Sequence, residues 1–361
     1  KVAQVADIVS ADEANVEKTD GVEDAAIGSG NTVKLRVDAN LTDTDGSEQL
    51  SIILKLPSSI AGASFIPSSG SPVAGTVVTN LSGHDGQRVV SFDVESSHEK
   101  SGKYEFELVM EEHFSGSSSV EIIARSTDGD DKLDTNVGTH SFTVAPFPDP
   151  PIYSDGDIVV VAGSEDGINS LGTSNPGQLN VSMQFPDVTD EVHYIIFQVD
   201  SNVQTVTYNG ETKTPETAAQ NPSELTGISG TAVRFPVTAN SDGSFNGVFD
   251  FIAVENYSGD IVASVIGRSI IADNSFLDSS AVQKTIAINP VADAPSANSA
   301  DVVVSDGVED AVIGSGNTAK IAVDADLTDT DGSEQLSIIL KLPAEVTGAS
   351  FVPGNGDAVV T

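Results

Sequence analysis

Asp20-Gly21-Val22-Glu23-Asp24, followed by Leu41-Thr42-Asp43-Thr44-Asp45-Gly46-Ser47-Glu48, decides the fold, because the chain writes it twice. The pair returns as Asp306-Gly307-Val308-Glu309-Asp310 and Leu327-Thr328-Asp329-Thr330-Asp331-Gly332-Ser333-Glu334, 286 residues later and with no insertion. From Asp20 to Pro67 and from Asp306 to Pro353, about 38 of 48 positions are identical. Repetition of this fidelity marks a tandem array. A diverged copy lies between the two. Its Glu165-Asp166 follows Ile158-Val159-Val160-Val161 just as Glu309-Asp310 follows Val302-Val303-Val304. The Glu-Asp pairs are therefore 142 and 144 residues apart. Glu112-His113-Phe114-Ser115-Gly116 aligns with Glu255-Asn256-Tyr257-Ser258-Gly259, and Arg125-Ser126 with Arg268-Ser269. The order is A–B–A: residues 1–149 (1–7 ending a preceding linker), 150–293, and 294–361 as a partial, truncated copy of A.

Within a unit the segments read as strands. Val33-Lys34-Leu35-Arg36-Val37 alternates apolar and polar, and Ser51-Ile52-Ile53-Leu54-Lys55-Leu56 is apolar or β-branched up to Pro57. Arg88–Val94, Tyr104–Val109, Val120–Ala124 and Ser141–Val144 follow, separated by Gly, Ser, Asn and Asp clusters. This pattern predicts short antiparallel strands and no helix longer than two turns. Seven or eight such strands per unit give an all-β chain of tandem β-sandwiches, immunoglobulin-like or cadherin-like. Long loops are expected at Ser68–Gly86 and Thr205–Gly230. Phe142-Thr143-Val144-Ala145-Pro146-Phe147-Pro148-Asp149 and Thr285–Ile288 with Val291-Ala292-Asp293-Ala294-Pro295 are strand-to-linker junctions.

The 361 residues carry 54 acidic and 16 basic side chains, a net charge of −38. That argues against nucleic-acid backbones and anionic membranes as partners, since neutralising phosphates needs Lys and Arg. No apolar run is long enough to span a bilayer. With no cysteine, an extracellular fold needs another crosslink, and bound metal is the obvious one. Ca2+ takes six to eight oxygen ligands from carboxylates, carbonyls and water. Asp43 and Asp45 can aim two carboxylates at one point, Gly46 allows the tight turn, and Glu48 adds a further ligand. Asp329, Asp331 and Glu334 repeat the set. Asp128-Gly129-Asp130-Asp131 and Asp187 with Asp190-Glu191 are similar clusters, while Asp149 and Asp293 of the linkers stand ready to complete shells at the joints.

A Glu-Asp pair after the first strand, an Asp-x-Asp-Gly loop, a Phe/Tyr-Ser-Gly landmark and a Val-Ala-Asp-Ala-Pro linker together resemble the tandem cadherin-like extender domains of large bacterial surface adhesins. The resemblance spans essentially the whole chain and is closest to type I secreted RTX adhesins of Gram-negative bacteria. It implies a secreted, cell-surface stalk with Ca2+ at the joints and neighbouring repeats as partners. The host or surface ligand would then be bound elsewhere in a longer chain. It carries the ligand role onto Glu23, Asp24, Asp43, Asp45 and their equivalents Glu165, Asp166, Glu309 and Asp310. Two features depart from the family. The glycine-rich Ca2+ nonapeptide is absent from this sequence. The middle unit has Asp187-Val188-Thr189-Asp190 in place of Asp-Thr-Asp-Gly, so its site is expected to be altered or lost.

Catalysis is not expected. His84, His98, His113, His140 and His193 show no metal-ligand spacing and read as surface or strand residues, and no serine sits in a Gly-x-Ser-x-Gly elbow. The absence of Trp and an aromatic content of 5% leave no platform for sugars, and Tyr208 and Phe251 read as core. Two alternatives to the stalk are a carbohydrate- or peptide-binding module in the middle unit and the non-catalytic part of a secreted hydrolase.

Overall fold

The computed structural model describes residues 5–351 except 44, 101, 169, 300, 301, 313, 314, 316, 330 and 347. The chain is all-β, as the alternation requires, with three-residue 3-10 turns as its only helices among the described residues. The first unit is a sandwich of two five-stranded sheets. One runs Glu17–Thr19, Val33–Val37, Tyr104–Met110, Ile60–Ile66, Val73–Ala74, and the other Gly21–Val22, Asp131–Ala145, Gly116–Asp128, Gln49–Lys55, Val89–Val94. The period-2 pattern sends Val33, Leu35, Val37, Ile52, Leu54, Phe106 and Leu108 into one core. Tilted contacts join Phe65, Phe92 and Phe106 at its centre.

The second unit repeats the plan. Ile158–Val161, Gly177–Gln184, Ser244–Ala253, Val203–Tyr208 and Glu211–Lys213 face a sheet built on Val282–Asn289, Gly259–Ile270, Val192–Val199 and Thr231–Val237. Phe251 and Phe249 are fully buried, and Tyr208 stacks on Phe249 at 4.5 Å, so these aromatics are core. Residues 205–230 are not one long loop. Val206–Tyr208 pairs with Glu211–Lys213 across Asn209-Gly210, both at positive φ, Glu216–Thr217 pairs with Thr231-Ala232, and residues 218–230 are irregular. Residues 68–86 are mostly irregular, with one short strand at Val73–Ala74.

In both units a buried arginine pins the irregular segment to the sheet. Arg125 makes a bidentate pair with Asp134 and donates to the Ser82 carbonyl. Arg268 does the same with Asp278 and the Thr226 carbonyl.

One feature of the topology controls everything at the joints. The opening strand of each of the first two units changes sheets. Glu17–Thr19 lies antiparallel to Val33–Val37, and then Gly21–Val22 crosses to run parallel to Val144-Ala145 at the end of the unit. Gly163-Ser164 lies likewise against Ile288-Asn289. The crossing in the second unit needs glycine, because a Cβ on Gly163 would stand 2.2 Å from the backbone nitrogen of Gly177. The Glu-Asp pair that follows each crossing therefore sits where the chain leaves the unit.

The third unit differs from the first although its sequence is nearly the same. Val302–Ser305 pairs with Lys320–Val323, and both strands are exposed. Leu336, Ile338, Ile339 and Leu340 are exposed, whereas their equivalents Leu50, Ile52, Ile53 and Leu54 are buried strand residues. In the first unit that strand is held between Val89–Val94 and Gly116–Asp128. The described part of the third unit offers no such flanking strands, and a ladder without partners has nothing to bond to. Residues 352–361 lie outside the described residues.

Candidate metal centres at the joints

The joint between the first and second units is built from three segments. Glu23 arrives on the crossed strand, its N–H bonded to the Ala145 carbonyl at 2.9 Å. Its Oε2 accepts from the Phe147 N–H in the linker at 3.0 Å. Asp149 ends that linker and donates its N–H to Glu191 Oε1 of the next unit at 2.5 Å. Asp187 Oδ1 accepts from the N–H and hydroxyl of Thr189 at 2.8 and 2.5 Å. Each of the three carboxylates Glu23, Asp187 and Glu191 thus spends one oxygen on a local donor. The other oxygen is turned inward. Glu23 Oε1, Asp187 Oδ2 and Glu191 Oε2 are buried without a hydrogen-bond partner, and Asp149 Oδ2 has only the His113 ring, 2.7 Å away, beside it. Glu23 and Asp187 are only 2% and 3% exposed.

Such an arrangement is costly unless a cation answers it. An unpaired buried acceptor costs about 1–3 kcal/mol, and more when charged. Burial pushes the Glu23 carboxyl up to about 7, with Asp187, Asp24 and Asp149 adding repulsion against the Phe147 N–H. Burial likewise raises Glu191 to about 7, with Asp149 and Asp187 contributing. Asp149 is raised by burial and by Asp24 and Asp187.

The joint between the second and third units repeats the design. Glu165 is 1% exposed, its Oε2 accepts from the Val291 N–H at 2.9 Å, and its Oε1 has no partner. Asp293 donates its N–H to Glu334 Oε1, and Glu334 Oε2 has no partner. Ligand oxygens of Glu165, Asp329 and Asp331 all lie within 4.8 Å of one another. Asp331 bridges the joint by accepting from the N–H and hydroxyl of Ser258 at 3.0 and 2.7 Å. Those bonds, with Ser333, hold its carboxyl well below the usual range. Burial and the neighbours Asp329, Asp331 and Asp166 raise Glu165.

The predicted residues therefore assemble across units rather than within them. Glu23 and Asp24 meet Asp187, Asp149 and Glu191, not Asp43 and Asp45. Asp43, Asp45 and Glu48 form the upstream face of the first unit instead. There Glu48 accepts from the Asp7 N–H at 2.5 Å and keeps Oε2 unpartnered, and Asp43 accepts from the Asp45 N–H at 2.9 Å. The hairpin tip at Asp128–Asp131 lies beside that face, since Gln49 pairs with Thr127 and the Ala6 N–H reaches Asp131. Asp128 is buried with an unpartnered Oδ1, while Asp130 is exposed. Glu309 and Asp310 are exposed.

The middle unit's acidic group keeps two of the contacts seen at the second joint despite its altered spacing. Asp190 accepts from the Ser115 hydroxyl as Asp331 does from Ser258, and Glu191 holds Asp149 as Glu334 holds Asp293. His113 is not an incidental strand or surface residue. Its Nδ1 stands 2.7 Å from Asp149 Oδ2 and 3.5 Å from Asp24 Oδ2. Burial would lower its pKa, but Asp149 and Asp24 outweigh that and hold it above the usual value. Its alignment with Asn256 was the signal. Both take positive φ, 58° and 57°, and both donate an N–H at 3.1 Å to the aspartate of a Glu-Asp pair. Asp24 and Asp166 share φ of 54°, strained backbone that no sequence motif announced.

No family model and no curated protein matches the chain. Among solved structures, it is similar to the C-terminal domain of the Streptococcus agalactiae antigen I/II polypeptide BspA. That match has 11% identity, 74% of this chain and 95% of that one covered, and a TM-score of 0.24. The C-terminal domain of the Streptococcus pyogenes antigen I/II-family protein AspA matches at 9%, covering 75% and 95%, TM-score 0.27. The chicken interferon gamma receptor alpha chain matches at 12%, covering 80% and 100%, TM-score 0.23. Scores this low carry no functional argument, and the architecture rests on the chain's own strands.

Proposed function

We propose that this chain is a calcium-clamped spacer segment of a bacterial surface adhesin, whose work is to hold a ligand-binding region away from the cell. The observation that carries the reading is the set of inward, unpartnered carboxylate oxygens at each joint, contributed jointly by two units and the linker. The carboxylate donors fit Ca2+, being hard oxygens in the number that its six-to-eight-coordinate shell draws on, with the His113 ring beside them at the first joint only. When bound, the ion would supply charge neutralisation and a link between the units. Glu23, Asp24, Asp149, Asp187 and Glu191 would hold it at the first joint, and Glu165, Asp166, Asp293, Asp329, Asp331 and Glu334 at the second. A bound ion would stiffen the connection, because its ligands come from both neighbours.

Binding only to the assembled joint stabilises by about 2.7 kcal/mol at a hundredfold excess over Kd. Calorimetric Ca2+ stoichiometry with small-angle scattering, with and without chelator, tests the reading. Uptake of Ca2+ and a more extended, stiffer particle in its presence are expected. Identical scattering and melting in both conditions would overturn it.

A second reading has one observation behind it. The middle unit carries a cavity of about 370 Å³ lined by Lys213, Asn221, Glu224 and Arg234. Arg234 stacks on Tyr194 at 4.1 Å, and its nearest carboxylate, Glu224, is 3.9 Å away. A glycan or peptide array probed with the full chain and with Arg234→Ala tests whether this unit also binds a ligand. Signal lost in the variant supports the module, and an array with no signal rejects it.

A further inference from the structure

The two joints are chemically unequal, and one position makes the difference. Where the second joint has Asn256, the first has His113, on the same backbone conformation and with the same N–H to carboxylate bond. Asn256 turns its amide to the Thr328 carbonyl at 3.4 Å. His113 instead turns a ring nitrogen into the joint. Its Nδ1 and oxygens of Asp24 and Asp149 lie mutually within 4.8 Å. Although Nδ1 is 2.7 Å from Asp149 Oδ2, neither atom makes an aligned hydrogen bond, and both are buried. On the outer side, Nε2 stands 3.7 Å from the Glu112 carboxylate, beyond hydrogen-bond length.

We propose that the first joint is a mixed nitrogen–oxygen site that takes a zinc-like divalent ion through His113 Nδ1, Asp24 and Asp149, while the second joint is an oxygen-only site. Imidazole favours borderline ions such as Zn2+, whereas a wholly carboxylate and carbonyl set favours Ca2+ and Mg2+. Zinc needs only about four ligands, and His113, Asp24 and Asp149 supply three, which leaves the fourth position to water. Binding replaces the proton on Nδ1, which leaves to buffer. An alternating A–B array would then carry two classes of joint, one set by calcium and the other responsive to zinc as well. The inference rests on the joints being cation sites, as proposed above.

The test uses the full chain, metal-stripped and then saturated with Ca2+, in wild-type and His113→Asn forms. Asn256 shows that asparagine suits this backbone. Calorimetric titration with Zn2+ should find one equivalent in the wild type and at least about tenfold weaker uptake in His113→Asn. Visible absorption of added Co2+ should show a band that the variant lacks. Asn256→His gives a second, independent measurement, since it should add a second zinc equivalent. Equal Zn2+ uptake by wild type and His113→Asn overturns the inference, as does no zinc uptake by the wild type. A parallel Ca2+ titration separates the two proposals. Calcium bound equally by both proteins without zinc discrimination sinks the mixed site alone. Zinc discrimination without calcium uptake sinks the calcium clamp alone.

Discussion

Replacing Glu23 and Glu191 by glutamine should stabilise the metal-free protein and destabilise the calcium form. In the folded chain both carboxyls titrate near 7, against 4.5 for an ordinary glutamate, chiefly because of burial. Between those values the folded state holds protons that the unfolded state has released. Stability in chelator therefore falls as pH rises from 4.5 to about 7 and is then level, as far as these two groups contribute. A rise from 4.5 to about 7 corresponds to about 3 kcal/mol for each carboxylate at pH 8. Water enters on the Asp24 side, where that side chain is 33% exposed. It lowers each contribution to on the order of 1–2 kcal/mol.

Glutamine keeps the shape and an acceptor oxygen for the Phe147 and Asp149 N–H groups but carries no charge to bury. In chelator at pH 8 the double variant should therefore unfold at higher denaturant than wild type, by a few kcal/mol in total, and the gap should close towards pH 4.5. With Ca2+ present the order should reverse, because the variant has lost two anionic ligands. Comparison with wild type removes the general effect of the net charge of −38, which also favours low pH. The linked measurement is proton release. At pH 7 each glutamate is about half protonated, so roughly one proton per first joint should leave when calcium enters. Calorimetry in buffers of different ionisation enthalpy reads it. A double variant no more stable than wild type in chelator, or binding heats independent of buffer, would refute the reasoning.

Three further outcomes follow from the fold. Arg268→Ala should cost about 3–5 kcal/mol in urea unfolding, since it strands Asp278 and frees the Thr226 segment from the sheet. Phe249→Ala should cost a similar about 3–5 kcal/mol, because the ring packs against Phe197 and Tyr208 at the core centre. Gly163→Ala should cost about 1–3 kcal/mol, the price of forcing a Cβ 2.2 Å from Gly177. It should also weaken calcium binding at the second joint selectively, because Glu165 follows two residues later. Equal loss at both joints would show that the crossing strand does not position the acid.

The division between what was legible in the residues and what was not has a physical basis. Val33–Val37 announced its strand by period-2 alternation and Gln49–Lys55 by a continuous apolar run, both local properties, and the structure buries the first in alternation and the second at Leu50, Ser51, Ile52, Ile53 and Leu54 alike. Asn209-Gly210 was equally local, yet the hairpin it makes within 205–230 went unread because a loop was expected there. The acidic composition of the joints was legible as well, since the Glu-Asp pairs and the linker aspartates recur in the sequence and meet there.

Which acids meet was not legible. That depends on Gly21–Val22 and Gly163–Ser164 leaving one sheet to run parallel to the last strand of the other, a non-local event that carries each Glu-Asp pair to the exit of its unit. Nor could spacing rank the middle site. Asp187-x-x-Asp190-Glu191 and Asp329-x-Asp331-x-x-Glu334 look unlike on paper, but a fixed donor, the N–H of the linker aspartate, places both glutamates. A joint is thus specified by backbone donors that each bind one carboxylate oxygen and leave the other free. The sequence between the acids can drift as long as those donors stay in place. His113 stands where such drift changes the donor set, because it holds the backbone position of Asn256 yet turns a ring nitrogen to within 2.7 Å of the Asp149 carboxylate.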